Sequence, residues 1–373
     1  MELGATQLIP QPETITARPD NDTETQESKF RFEVPNMPYE TIIGLRRAKA
    51  ILYREIEQPI KHQERYMAHD ESRSTGILMY GPPGVGKTML AQGIFQKLNI
   101  SMAYISGSSI MDKYVGSSGH HVKELFDMAK AIQPSAIFID EADVLLQSRD
   151  DIGDNSKEFE LAISEFLVQI SKVREDKGMQ ITIIGATNLP WRIDSAHKRS
   201  GRFDYLLYVP APDFWARRQL IKLYIKKENP KMPKEDYGAI NYTLLALATA
   251  DYSPSDIKKV CHVATINAIA RTRMFITTRT LQKALWSKEA GKSSLDSWYR
   301  LIMAKYLPTK RSLLKRIIFF WSKPKQPTKE PKLEKNELKD YEDLVKDVRR
   351  HFRWGWFIYI ERIFGKGLPS ITR

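Results

Sequence analysis

The chain has 373 residues, one cysteine, a net charge of +13 and 42% apolar residues. That length holds one large domain or about two to three smaller ones, and a single thiol excludes an internal disulfide and a cysteine-built metal cluster. No apolar run approaches the roughly 18 residues that cross a bilayer, and Met1-Glu2-Leu3 does not open a basic-then-apolar leader, so a soluble chain in a reducing, cytoplasmic setting is expected.

Residues 1–36 hold three Lys/Arg against seven Asp/Glu and few aliphatics, the composition of a disordered leader. Over 40–60, Leu45, Ala48, Ile51, Leu52 and Ile56 recur at helical spacing and predict one helix. Short apolar runs at 77–80, 102–105, 136–139, 181–186 and 206–209 then predict strands, separated by helical patterns that include 122–131 and 159–173. Such alternation implies an α/β fold with a five-stranded parallel sheet covered on both faces. Asp213 is placed to cap a helix over 214–227, and only helical periodicity follows to about residue 290. The expected units are therefore a leader (1–36), an α/β domain (37–212), an all-helical domain (213–305) and a C-terminal extension (306–373). In that extension 19 Lys/Arg face 8 Asp/Glu from residue 300 onward, and 351–366 interleaves arginines with Phe352, Trp354, Trp356, Phe357 and Tyr359. Three uses stay open for it: an anionic membrane surface, single-stranded nucleic acid, or a helix packed back on the body.

Gly81-Pro82-Pro83-Gly84-Val85-Gly86-Lys87-Thr88 follows the first predicted strand and precedes a helix-forming stretch from Met89. Glycines there let backbone N–H groups curl around phosphate oxygens, and the helix N-terminus adds partial positive charge. Lys87 then reaches the terminal phosphates of a nucleoside triphosphate, and the Thr88 hydroxyl holds magnesium. Downstream, Ala136-Ile137-Phe138-Ile139 forms a buried strand from which Asp140 emerges to hold that magnesium through water, with Glu141 next along to polarise an attacking water. The phosphate-binding motif occurs once, so no tandem repeat is present, and no His-Glu-x-x-His zinc-protease sequence is found. His120 and His121 lack spaced acidic or thiol partners and read as polar loop residues rather than metal ligands.

With Ile183-Ile184-Gly185-Ala186-Thr187-Asn188 and Arg199-Ser200-Gly201-Arg202-Phe203-Asp204 added, the chain resembles an AAA+ ATPase over about residues 40–305, with a single ATPase module. The likeness is to the group containing the valosin-containing protein, katanin, spastin and the vacuolar-sorting ATPase. It implies a P-loop NTPase fold with a C-terminal helical lid, and ATP with Mg2+ as cofactors. Pro83, Gly84, Val85, Gly86, Lys87, Thr88 and Met89 would bind the nucleotide with Asp140, while Ile43 and Gly44 would pack on the base. Asn188 matches the sensor of the γ-phosphate or attacking water, and Arg199 and Arg202 match arginine fingers that enter a neighbouring subunit's site. Lys113, Tyr114 and Val115 match a pore loop that grips an extended polypeptide. The implied activity is ATP hydrolysis that drives remodelling, unfolding or disassembly of protein substrates by a homo-oligomeric ring, a hexamer. Two other classes compete: a DNA-associated loader or initiator, and a nucleotide-gated scaffold.

Departures from the family pattern are as informative. Ser171-Lys172 stands where relatives carry Asp-Gly, so coordination between subunits is expected to differ. Asp251-Tyr252-Ser253-Pro254-Ser255-Asp256 replaces a turn with two glycines, so the nucleotide-facing side of that turn is also expected to change. The final Ile371-Thr372-Arg373 lacks the hydrophobic-Tyr ending through which unfoldase relatives dock on a proteasome, and coupling to degradation is not expected.

Overall fold

The structure, a computed structural model, describes residues 30–69, 75–107, 118–147, 157–194, 197, 201–271, 275–287, 293–295, 297–299, 301, 343–344 and 346–347. Its centre is a sheet of β1 (Phe32–Glu33), β2 (Thr75–Tyr80), β3 (Ser101–Ser106), β4 (Ser135–Asp140), β5 (Ile181–Thr187) and β6 (Tyr205–Tyr208). Their spatial order is β1-β3-β4-β5-β2-β6. β2 to β6 run parallel, and every residue of β2 and β5 is buried. Burial on both faces explains why these strands read as unbroken apolar runs rather than as alternation.

The pleat divides those runs between two cores. Ile77, Met79, Phe138 and Ile184 face one layer, where they meet Leu52, Leu90 and Phe95 from flanking helices. Leu78, Ile137, Ile139 and Ile183 face the other, against Phe126 and Phe166 from the helices Ser118–Ala131 and Lys157–Glu175. This arrangement brings the C-terminal ends of β2, β4 and β5 to one edge of the sheet, where ligands of open α/β folds bind.

Three expectations need correction. The sheet has a sixth strand, because β1 pairs antiparallel with β3 within the segment read as leader, and Phe30 and Phe32 pack on the second core. Two residues are too few to leave a strand pattern. The single helix expected over 40–60 is broken into a 3-10 turn (Tyr39–Thr41), a helix (Arg46–Leu52), a π turn (Tyr53–Glu57) and a further short helix (Gln58–Lys61). Gly44 and Leu45 take left-handed conformations (φ 76° and 53°), which no continuing helix allows, and a side chain at Gly44 would press on Ala216. Finally, His120 and His121 lie in the first turns of the helix Ser118–Ala131 rather than in a loop.

Helices Phe214–Glu228, Lys234–Ala239, Tyr242–Ala248, Pro254–Ile269 and Thr278–Leu285 surround a third core that includes Leu220, Ile225, Leu245, Ile257 and Leu281. Asp213 caps the first, its Oδ1 accepting from the Ala216 N–H at 2.7 Å. Cys261 is buried in this core, and burial, reinforced by Glu228, pushes its thiol up to about 12, which leaves it inert at neutral pH. After these helices the chain returns to the first core. Leu295, Trp298, Tyr299 and Leu344 are buried there, and Asp343 pairs with Arg47. Of the extension, Asp343 and Leu344 thus pack on the body, while 351–366 lies outside the described residues.

Gly76 in β2 has no room for a side chain, since an added Cβ would sit 1.9 Å from the Arg202 carbonyl oxygen. Gly76→Ala should therefore force β2 and the 202–203 backbone apart and cost about 2–3 kcal/mol. Urea unfolding measures this, and an unchanged midpoint would refute the close approach.

Candidate nucleotide-binding site

β2 ends at Tyr80, and the chain turns through Gly81 to Gly86 into the helix Lys87–Leu98. Gly86 caps that helix with φ 101°, a conformation that side-chain-bearing residues rarely adopt. The turn opens onto a cleft of about 500 Å³. Pro83, Gly84, Gly86, Lys87, Thr88 and Met89 line one wall; Asp140, Glu141 and Asn188 come from the ends of β4 and β5. Pro254, Ser255 and Lys258 complete it from the helix Pro254–Ile269. Val85 turns its side chain into the first core, so only its backbone can face a phosphate.

Lys87 is 7% exposed. Its Nζ donates to the carbonyls of Gly81 (3.0 Å) and Pro82 (2.9 Å) and to Asn188 Oδ1 (2.6 Å). Burial pulls the ammonium down to about 8 from its usual 10.5, and Asp140 and Asp143 resist that shift. Thr88 Oγ1 donates to Asp140 Oδ2 at 3.0 Å. Two hard oxygen donors at this separation suit magnesium, which takes one or two protein oxygens together with phosphates and waters.

Glu141 follows in a left-handed conformation, φ 50°. Its N–H donates to Asp140 Oδ1 at 3.0 Å, and a Cβ on Gly107 would meet its carbonyl oxygen at 2.5 Å. The strand end is thus turned so that the exposed Glu141 side chain follows Asp140 at the cleft wall. Asp143 is buried, where its Oδ1 accepts from Thr187 Oγ1 at 2.6 Å and ties the segment after β4 to the end of β5.

Several contributors escaped the sequence reading. Tyr104 stacks on Phe138 and donates its hydroxyl to Asp140 Oδ2 at 3.0 Å; burial, then Asp140, pushes its phenol up to about 12. Spacing carries no signal for it, because the pairing of β3 with β4 brings the two together. Trp298 donates its indole N–H to the Asn188 carbonyl at 2.6 Å from a segment with no recognisable motif.

The substituted turn at 251–256 is well formed. Asp251 takes the left-handed conformation (φ 62°) that glycine would otherwise supply, and Pro254 occupies the first turn of its helix, where proline is tolerated. Ser253 and Asp256 form a reciprocal capping box, and Ser255 Oγ donates to the Gly84 carbonyl at 3.2 Å.

Other expected residues lie apart from the cleft. Ile43 packs on the third core and Gly44 abuts Ala216, and neither lines the cleft. Arg202 borders a separate depression with Leu167, Ser171, Lys172 and Glu175. Arg199, Lys113, Tyr114 and Val115 lie outside the described residues.

Residues 77–211 match the ATPase family associated with various cellular activities (AAA). The cell division cycle protein 48 homolog of Archaeoglobus fulgidus is 34% identical over 320 residues, which is 86% of this chain and 39% of that protein. The proteasome-activating nucleotidases of Saccharolobus solfataricus and Methanocaldococcus jannaschii are 36% and 33% identical, over 71% and 73% of this chain and 66% and 61% of their own. The chain thus spans between about two fifths and two thirds of these relatives' lengths. Among solved structures, the FIGL-1 AAA domain in complex with ADP is similar with a TM-score of 0.59 and 26% identity, covering 75% of this chain and 94% of that one.

The lowered Lys87 value sets a pH dependence. Below pH 8 the free protein already holds the charged ammonium, whereas above it nucleotide binding must take up a proton. Nucleotide affinity should lose about twofold between pH 7 and 8 and fall by up to about tenfold per unit above that. Calorimetry in two buffers of different ionisation enthalpy should show the matching proton uptake; pH-independent binding up to pH 9.5 would contradict it.

Proposed function

The chain belongs to the AAA family of ATPases, and from that premise we propose that it hydrolyses ATP and uses the cycle to remodel protein substrates as a ring of identical subunits. The observation that carries this reading is the convergence of Lys87, Thr88, Asp140, Glu141 and Asn188 on one cleft at the C-terminal edge of the sheet.

Each group has a task that its placement suits. The backbone N–H groups of residues 84–88 and the start of the helix Lys87–Leu98 receive phosphate oxygens, and Lys87 exchanges its protein acceptors for the outer phosphates. Thr88 and Asp140 would hold magnesium, which supplies charge neutralisation between the outer phosphates. Glu141 accepts a hydrogen bond from the attacking water and polarises it, and Asn188 orients that water once its amide is released from Lys87.

Lys87 and Lys258 are the cations among the described residues lining the cleft. Charge that develops on the transferred group in the transition state calls for a guanidinium, which accelerates phosphoryl transfer by about 10³-fold or more. Arg202 borders a different surface and is therefore proposed, with Arg199, to serve a neighbouring copy's cleft. A hexameric ring with Lys113, Tyr114 and Val115 at a central pore completes the reading, on the resemblance of those residues to the family's pore loop. Ile43 and Gly44, set beside the helix Phe214–Glu228, are proposed to border the base. A membrane or nucleic-acid role for 351–366 is the lesser proposal, since charge and aromatic content alone favour it.

Glu141→Gln should bind ATP normally, lose hydrolysis by about a hundredfold or more, and sediment as a larger species with ATP. Wild-type turnover should rise with an unfolded polypeptide. Wild-type turnover in Glu141→Gln, or stimulation by DNA but not by polypeptide, would overturn the reading.

A further inference from the structure

Asn188 begins the chain beyond β5, at the end of a strand whose ladder no longer fixes it. The peptide joining Asn188 to Leu189 is nevertheless held by both of its polar groups. Its N–H donates to Thr187 Oγ1 at 2.8 Å, and that hydroxyl is itself engaged by buried Asp143. Its carbonyl accepts from Trp298 Nε1 at 2.6 Å. The two groups point in opposite directions from a rigid plane, so two partners on either side remove the rotation that would swing the Asn188 side chain.

Trp298 is well placed to serve as a fixed donor. Its ring is buried in the first core and packs edge-on against Tyr299 at 5.3 Å. The segment that carries it is anchored at the other wall of the cleft as well. Ser294 Oγ donates to Asp256 Oδ2 at 2.9 Å, and Ser293 donates to the Asp251 carbonyl, on either side of Pro254 and Ser255. Ser293, Ser294 and Trp298 therefore tie the turn of the helical part to the end of β5.

We propose that Trp298 is a positioning residue for ATP hydrolysis: its indole N–H fixes the Asn188 peptide and so aims the Asn188 amide at the attacking water. This rests on the role proposed for Asn188. The consequence is a selective effect on turnover. ATP binding depends on the turn at 81–88 and on Lys87, to which Trp298 makes no hydrogen bond among the described residues, whereas alignment of the water depends on a geometry in which a small misplacement is costly.

The test is steady-state ATP hydrolysis by the full chain with Trp298→Phe, which keeps a buried aromatic ring and removes the N–H. The expected result is a fall in kcat of roughly tenfold with KM for ATP within about twofold of wild type. In an Asn188→Ala background the same change should have no further effect on kcat, which a purely structural role would not predict. Benzothienylalanine at position 298, which replaces N–H by sulfur at nearly unchanged shape, gives the same readout should the Phe variant fold poorly. Wild-type kcat in either variant, or an equal loss in the Asn188→Ala background, overturns the inference while leaving the ATPase reading intact. Asn188→Ala hydrolysing at the wild-type rate overturns the inference and the role proposed for Asn188 together.

Discussion

Burying the Lys87 ammonium beneath the turn at 81–86 carries a desolvation cost that several elements have to offset together. Two carbonyls of the turn, the amide oxygen of Asn188 and the nearby carboxylates of Asp140 and Asp143 supply the compensation. Each comes from the C-terminal end of a different parallel strand or the chain just beyond it, so the order β4-β5-β2 is what allows one cation to be satisfied. Parallel pairing in this order brings all these groups to the same edge.

The same constraint explains why the cleft is coupled to remote parts of the chain. Asn188 sits within reach of Lys87, and the proposed function requires its amide to exchange partners when phosphate arrives. Its backbone is consequently fixed while its side chain is not: Thr187 and Asp143 hold it from the β4 side, and Trp298 holds it from the returning C-terminal segment. Ser255 joins the helical part to the phosphate turn through the Gly84 carbonyl.

The phosphate turn, Asp140 and Glu141 were legible in the sequence because their chemistry depends on short-range spacing next to strands with strong apolar runs, whereas Asn188 entered through the family resemblance. The five parallel strands were legible for the same reason, to within one or two residues at each end. Groups that arrive by tertiary pairing were not. Tyr104 reaches Asp140 only because β3 lies beside β4, and Trp298 reaches Asn188 across 110 positions. Periodicity over 40–60 remained true at Ala48, Leu52 and Ile56, which are buried, but it could not register the left-handed pair Gly44-Leu45 that redirects the chain. Likewise the loss of two glycines at 251–256 read as a disturbance, whereas Asp251 adopts the required conformation and Pro254 fits the first helical turn.

What distinguishes a self-sufficient hydrolase from a subunit of a machine is the origin of the guanidinium. Mixing two inactive variants addresses this directly: Lys87→Ala, with a disabled cleft but an intact Arg202, and Arg202→Ala, with an intact cleft. Hydrolysis recovered in the mixture well above the sum of the separate preparations is the expected result. A mixture that merely averages its components, or full activity of Arg202→Ala alone, would contradict completion of the site by a neighbouring copy.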